Sequence, residues 1–339
     1  MIKEAIDMVV QGVSLSEQQM HTVMGEIMSG NATDAQIASF VTALRVKGET
    51  IEEISGAAKV MREKAVTIST GHEVVLDTCG TGGDRKGTFN VSTAVAFVAA
   101  GAGVRVAKHG NRSVSSKSGS ADVLEALGIN INTESAEAER LLDTVGMCFL
   151  FAPLYNRAMK YAIGPRREIG IRTIFNMLGP LTNPAGARYQ LIGVYDRKLT
   201  ETIAHVLHNL GSVSACVVHG SDGTDEVTMT GTTNVSELRH GTITSYTFNP
   251  EDFGYRLSSE EVLSGGDARY NASILEDVLS GTAGPMRDMT EINSAFALYI
   301  TGMADNIRDA ISLARDVIDS GRAAKKLEEL RRGSASAEG

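Results

Sequence analysis

Four stretches of the chain concentrate the side chains that could do chemistry. The first is DTCGTGGDRKGTFNVST, from Asp77 to Thr93. Its glycines at 80, 82 and 83 let the backbone take positive φ and let a ligand approach closely. Asn90, Ser92 and Thr93 then open a helix, where the dipole favours an anion. Asn90 alone reads as an N-cap; the glycine turn and the NVST start together read as a phosphate seat. Two familiar seats are excluded. Arg85 stands where a dinucleotide fingerprint needs its third glycine, and no Lys-Ser/Thr pair follows at P-loop spacing.

The second stretch is KHGNRSVSSKSGSAD, residues 108–122. Lys108 and Arg112 suit phosphate oxygens, and Ser115, Ser116, Ser118 and Ser120 offer hydroxyls. A serine-rich turn is commonly a solvated loop. Its place directly after a strand favours a ligand, because open α/β sheets bind beyond the strand carboxyl ends. His109 taken alone fits a structural imidazole as well as a catalytic one. The third stretch, VVHGSDGTDEVTMTG, carries Asp222, Asp225 and Glu226 after another strand. Such carboxylates suit Mg²⁺, which takes one or two of them plus substrate phosphates and water. Asp225 and Glu226 could serve two metals, or one metal and an ordered water; an ordinary acidic turn is the simpler reading of this loop in isolation. The fourth, GPRREIGIRT, offers Arg166 and Arg167. An Arg can pair bidentately with a carboxylate, and spacing alone does not separate that role from exposed surface charge.

These stretches need a scaffold. The first 70 residues read as helix only. Capping boxes are expected at Ser14 with Glu17, Thr33 with Gln36 and Thr50 with Glu53, and Gly30 and Gly48 suit left-handed C-caps. Ile37, Phe40, Val41 and Leu44 share one helical stripe. From Val74 the pattern changes. VVLD, VRVAK, CFLF, QLIGVY and ACVVHG read as buried strands, with helices VSTAVAFVAAGAG, SADVLEALG, SAEAERLLDTVG and LTETIAHVLHNLG among them. The predicted class is α/β: a small N-terminal helical domain plus a large α/β domain with a mostly parallel central sheet flanked by helices. GTITSYTFNP reads as an antiparallel member of the sheet. Three helices follow, in NASILEDVLSG, MTEINSAFALYITG and ADNIRDAISLARDVIDSG. The helical domain spans 1–70, completed by part of 161–183; the α/β domain takes 71–160 and 184–330; and 331–339 forms a disordered tail.

Bulk properties narrow the function. The chain of 339 residues is 42% hydrophobic and 22% charged, as expected for a soluble globular protein. No apolar run is long enough for a membrane span, and the acidic N-terminus lacks a signal-peptide core. Three widely spaced cysteines suit a reducing cytoplasm. A net charge of −9 argues against a nucleic-acid partner. Local clusters of Lys and Arg on that acidic background suggest a small anionic ligand.

Together, GTGGD at 80–84, NVST at 90–93, KHGNR at 108–112, SGSADVLEALG at 118–128, GIRTIFNMLGPLTNPA at 170–185 and DGTDE at 222–226 resemble the anthranilate phosphoribosyltransferases of tryptophan biosynthesis. The resemblance implies Mg²⁺-dependent transfer of a phosphoribosyl group from 5-phosphoribosyl 1-diphosphate (PRPP) to the amine of anthranilate. It implies that Gly80, Gly83, Asp84, Thr88, Asn90, Val91, Ser92, Thr93, Lys108, Ser116 and Ser120 contact PRPP. Ser92, Asp225 and Glu226 would hold Mg²⁺, and Gly80, His109, Asn111 and Arg166 would meet anthranilate. Lys108, Asp225 and Glu226 would carry the catalytic roles: Lys108 and the Mg²⁺ held by the two carboxylates would neutralise the departing diphosphate. A homodimer through the helical domain is implied as well. The rival readings are a pyrimidine nucleoside phosphorylase, whose fold is similar, and a non-catalytic protein that keeps the ligand seat.

Overall fold

A computed structural model describes residues 1–84, 86–113 and 117–335. Four helices open the chain: α1 (Ile2–Val10), α2 (Glu17–Met28), α3 (Asp34–Lys47) and α4 (Ile51–Lys64). Capping boxes start α3 at Thr33 and α4 at Thr50. The expected box at Ser14 is displaced two residues, to Ser16 with Gln19. Ser14 accepts a hydrogen bond from Lys47 Nζ, and the Leu15 N–H donates to the buried Glu53 carboxylate. Tertiary partners thus hold 14 and 15 outside the helix.

Next come β1 (Val75–Gly80), α5 (Val91–Gly101), β2 (Arg105–Gly110), α6 (Ser120–Ala126), α7 (Ser135–Thr144) and β3 (Met147–Phe151). Helices α8 (Ala152–Tyr155), α9 (Lys160–Ile169) and α10 (Ile174–Leu178) lead to β4 (Tyr189–Gly193), α11 (Leu199–Asn209) and β5 (Ser214–Gly220). A meander of β6 (Thr233–Arg239) and β7 (Thr242–Phe248) precedes α12 (Ala268–Leu279), α13 (Pro285–Ile300), α14 (Ile307–Asp319) and α15 (Arg322–Ala335).

The seven strands form one sheet in the order β3-β2-β1-β4-β5-β6-β7. The first five run parallel, and β6 and β7 add antiparallel. Side chains alternate between faces. On β5, Cys216 and Val218 join one core with α5 and α12–α15, while Ala215 and Val217 join the other with α11 and the opening helices. Ala162, Ile174, Phe175 and Leu178 of α9 and α10 also belong to this second core.

Two elements depart from the sequence reading. Strand β6 is absent from it, because TNVSELR carries few apolar side chains; the strand is held by seven-residue ladders on both sides. The tail from 331 is helical to Ala335 rather than disordered. Its Ser334 is buried and accepts the Asn130 N–H at 3.1 Å, and Arg331 Nε donates to the Leu127 carbonyl. Residues 336–339 lie outside the described residues.

Candidate active site

The strand order reverses between β1 and β4, and ligands of open α/β sheets bind at such a switch point, beyond the strand carboxyl ends. Gly80 and Gly193 face each other there as the last pair of the β1–β4 ladder. A Cβ on Gly80 would come within 2.5 Å of the Asp225 carboxylate, and one on Gly193 would fall on the Asp225 backbone carbonyl. Two bare strand ends therefore let the 222–226 loop fold down onto the crest.

Ser92, in the first turn of α5, gathers the chemistry around itself. Its N–H donates to Glu226 Oε1 at 3.2 Å, and its hydroxyl accepts from Lys108 Nζ at 3.2 Å. Its carbonyl accepts the Thr78 hydroxyl at 2.8 Å. Lys108 lies near the end of β2 and is only 1% exposed; its ammonium also donates to the Thr78 carbonyl. Burial pushes its pKa down, against the pull of Asp77 and Glu226. Asp77, fully buried on β1, accepts the His109 N–H at 3.1 Å.

The carboxylates are crowded. Burial, with Asp84 beside it, pushes the Asp225 carboxyl up to about 7. Burial and the Asp225 charge hold Glu226 well above the usual carboxylate range. Both residues keep some surface as whole residues, but their carboxyl groups are densely surrounded, and the shifts follow that dense setting. Asp84 is bound by the Thr224 hydroxyl at 3.4 Å. Among the described residues, no three His, Cys, Asp or Glu side chains close on one point as a ready metal cage. The Asp84 charge nonetheless raises the proton affinity of both Asp225 and Glu226, and Lys108 pulls the other way at Glu226. This donor set fits a hard divalent cation that brings phosphate and water ligands of its own.

The remaining expected site residues sort as follows. Gly83 and Gly82 form the turn above β1, with positive φ at both. Thr88 bridges to Ser264. Asn90 Nδ2 donates to the Ser118 carbonyl at 3.3 Å, and its Oδ1 accepts from the buried Asn271 at 2.9 Å. Val91 and Thr93 are buried in α5, and the Thr93 hydroxyl finds no partner among the described residues. Ser120 starts α6 and donates to the Asn111 carbonyl at 3.4 Å, with Asn111 itself exposed. Ser116 lies outside the described residues. His109 is 6% exposed, sits 3.1 Å from Asn156 Nδ2 and bonds the Gly179 backbone; burial lowers its pKa to about 4. It is a neutral, buried imidazole.

Arg112, read from sequence as a phosphate partner, is committed elsewhere: it pairs with Asp122 and Glu125, each at 2.9 Å. Those carboxylates stand on the adjacent α6, within ion-pair reach of the guanidinium. Of the doubled arginines, Arg166 is half-buried with its guanidinium over Phe175 at 5.3 Å, whereas Arg167 is exposed. Burial lowers the Arg166 pKa, and no ion pair offsets it among the described residues. Sequence reasoning missed Gly193, Arg172, Tyr195 and Asn271. Each acts through a partner far away in the chain, which no local pattern marks.

A helical lobe packed on a mostly parallel sheet, with a glycine turn, a helix start and an acidic loop gathered at the switch point, is the architecture of a glycosyl transferase family. Two family descriptions match: "Glycosyl transferase family, helical bundle domain" over residues 3–65 and "Glycosyl transferase family, a/b domain" over 72–324. Anthranilate phosphoribosyltransferase of Moorella thermoacetica is 58% identical over 97% of this chain and 97% of its own length. That of Acetivibrio thermocellus is 54% identical over 97% and 95%. The solved structure of the Thermus thermophilus enzyme is similar at TM-score 0.93 and 37% identity, covering 98% of this chain and 99% of that one. The Saccharomyces cerevisiae enzyme, solved in complex with PRPP and Mg, is similar at TM-score 0.90 and 29% identity, covering 99% and 98%. The chain belongs to the anthranilate phosphoribosyltransferases of this glycosyl transferase family.

Proposed function

We propose that this protein transfers the 5-phosphoribosyl group of PRPP to the amine of anthranilate, giving N-(5-phosphoribosyl)anthranilate and diphosphate in tryptophan biosynthesis. The observation that carries the reading is the convergence of Lys108, Ser92 and Glu226 at the α5 N-terminus, with Asp225 and Asp84 beside them. The GTGGD turn and the α5 start bind the diphosphate and ribose of PRPP. Asp225 and Glu226, with Ser92, hold Mg²⁺, which neutralises charge on the diphosphate. Ribosyl transfer builds positive charge at the anomeric carbon as the bond to diphosphate breaks. Lys108 adds a fixed positive charge on the leaving-group side of that bond.

The arylamine is a neutral nucleophile, so placing it matters more than deprotonating it strongly. Arg166 suits the anthranilate carboxylate, because it is a half-buried guanidinium with no carboxylate partner among the described residues. Asn111 and Gly80 complete the acceptor side. His109 acts from behind as a support for β2 and Asn156 rather than as a base, since its neutral ring is already engaged.

A homodimer through the helical lobe is part of this reading. A groove of about 650 Å³ between α1 and α3 is lined by Val9, Val10, Ala43 and Val46, and Val46 is 83% exposed. Free Cys79, Cys148 and Cys216 accord with a reducing cytoplasm. The deciding assay follows anthranilate fluorescence. It should fall only when PRPP and Mg²⁺ are both present; folded protein that leaves it unchanged would overturn the proposal.

A further inference from the structure

The GTGGD turn is held from three directions, by residues from three other parts of the chain. Thr81 donates its N–H to the Gly193 carbonyl at 2.9 Å and accepts the Tyr195 N–H on its hydroxyl at 3.2 Å. The Gly82 N–H donates to Asp225 at 2.9 Å. The Gly83 carbonyl accepts from Arg172 Nη1 at 3.1 Å. The first two holds come from the sheet side. The third comes from the link between α9 and α10, two helices that pack against α2, α3 and α4 in the core shared by the opening helices and one face of the sheet.

Arg172 is itself fixed. Its guanidinium stacks over the Tyr195 ring at 4.4 Å, and it makes no ion pair among the described residues. An arginine present only for solubility would extend into water. This one directs its charge at a backbone carbonyl and an aromatic face, and the same tyrosine holds the other end of the turn through its N–H.

We propose that Arg172 is a positioning residue for the phosphate-bearing substrate: it sets the GTGGD turn in the conformation that binds PRPP, working from the helical lobe through the Gly83 carbonyl. The turn needs such help. Gly82 and Gly83 sit at φ 63 and 77, and glycine loses the most conformational entropy on being fixed. Ordering the turn costs conformational entropy, and that cost is drawn from binding unless the protein has met it beforehand. Peptide planarity makes the effect directional. With the Gly83 carbonyl turned to Arg172, the Asp84 N–H must point the opposite way. Neither the Gly83 nor the Asp84 N–H is taken by a protein acceptor among the described residues, so both stay available to an anion. A lysine could make the carbonyl bond but not the planar stack.

The inference rests on the function proposed above, and the two fail separately. The test is calorimetric titration of the full-length protein with PRPP in Mg²⁺, together with KM for each substrate. Arg172→Ala should weaken PRPP about tenfold and raise its KM alike, as expected for a lost charge-assisted bond. KM for anthranilate should move less than about twofold, with the melting temperature nearly unchanged, because an interior packing role is not involved. Arg172→Lys should recover only part of the loss. Tyr195→Phe should bind normally, Tyr195→Ala should weaken PRPP several-fold, and the double variant should be no worse than Arg172→Ala. Unchanged PRPP affinity in Arg172→Ala would overturn the inference, as would a larger effect on anthranilate. If that variant does not fold, Tyr195→Ala decides: normal PRPP affinity refutes the inference. Wild-type protein that binds PRPP without consuming anthranilate would instead refute the function.

Discussion

The turns after β1 and β2 occupy the same crest and are held in opposite ways. The GTGGD turn after β1 is fixed by Arg172, Tyr195 and Asp225, which lie 89, 114 and 143 residues from their partners. The described ends of the turn after β2, residues 111–113 and 117–119, are fixed largely by the next helix. Asp122 accepts the Ser113 and Gly119 N–H groups at 3.0 and 2.9 Å, and Arg112 clamps Asp122 and Glu125 from 10 and 13 residues away. Turn ends held locally are placed whenever the helix forms. A turn held at long range keeps its shape only when the lobes and the 222–226 loop are in place, so it can respond to them.

Substitutions at the two turns should therefore differ in kind. The largest effect is expected from Glu226→Gln beside the first turn: turnover should fall about 10²–10³-fold, the scale of losing one preorganised electrostatic group. Folding should be disturbed far less than turnover, because Gln keeps the shape and an acceptor oxygen for the Ser92 N–H; near-normal turnover across a Mg²⁺ titration would refute the assignment. Next, Gly193→Ala should cost about 3 kcal/mol of unfolding free energy, read as a shifted denaturant midpoint, because the new methyl group meets the Asp225 carbonyl. An unshifted midpoint would show that the acidic loop is not seated on the strand end.

At the second turn the sensitive variable is pH. The fold favours neutral His109 and lowers its pKa from 6.5 to about 4, while the unfolded chain binds that proton normally. Stability from this group is complete above pH 6.5 and is lost as pH falls towards 4, on the order of 3 kcal/mol across the window. His109→Gln should flatten that acid limb in urea titrations at stepped pH; an identical slope would contradict the burial. The smallest effect is expected from Asp122→Ala. It removes the local clamp at about 1 kcal/mol, like other lost helix caps, and PRPP affinity should change less than in Arg172→Ala. A greater loss of affinity would reverse the comparison between the turns.

The same contrast governs how much could be read from the residues alone. The five parallel strands announce themselves as short apolar runs, and the α5 and α6 starts as glycine and polar signals, because those patterns are local. Arg112 misleads for a related reason: its type suits phosphate, and only the helix register shows that Asp122 and Glu125 take it first. Helix α15 is hard to read because Ala323, Leu327 and Leu330 are few apolar anchors in a charged run, and their burial depends on α5 and α14. Arg172 carries no signal, since its value lies in a carbonyl 89 residues away. Doubled arginines leave open which one faces the site, and the degree of burial separates them.

The paired glycines at the ends of β1 and β4 also set where this catalyst can be redesigned. A mutant library that randomises both positions should return almost only glycine at 193, where the first side-chain atom lands on backbone, and variants at 80 only where the Asp225 side chain shifts away. New acceptor preferences would have to be recruited from the rim: from α9, where Arg166 lies over Phe175, and from the exposed residues around Asn111. The strand ends are a fixed chassis, and the elements around them are the variable part.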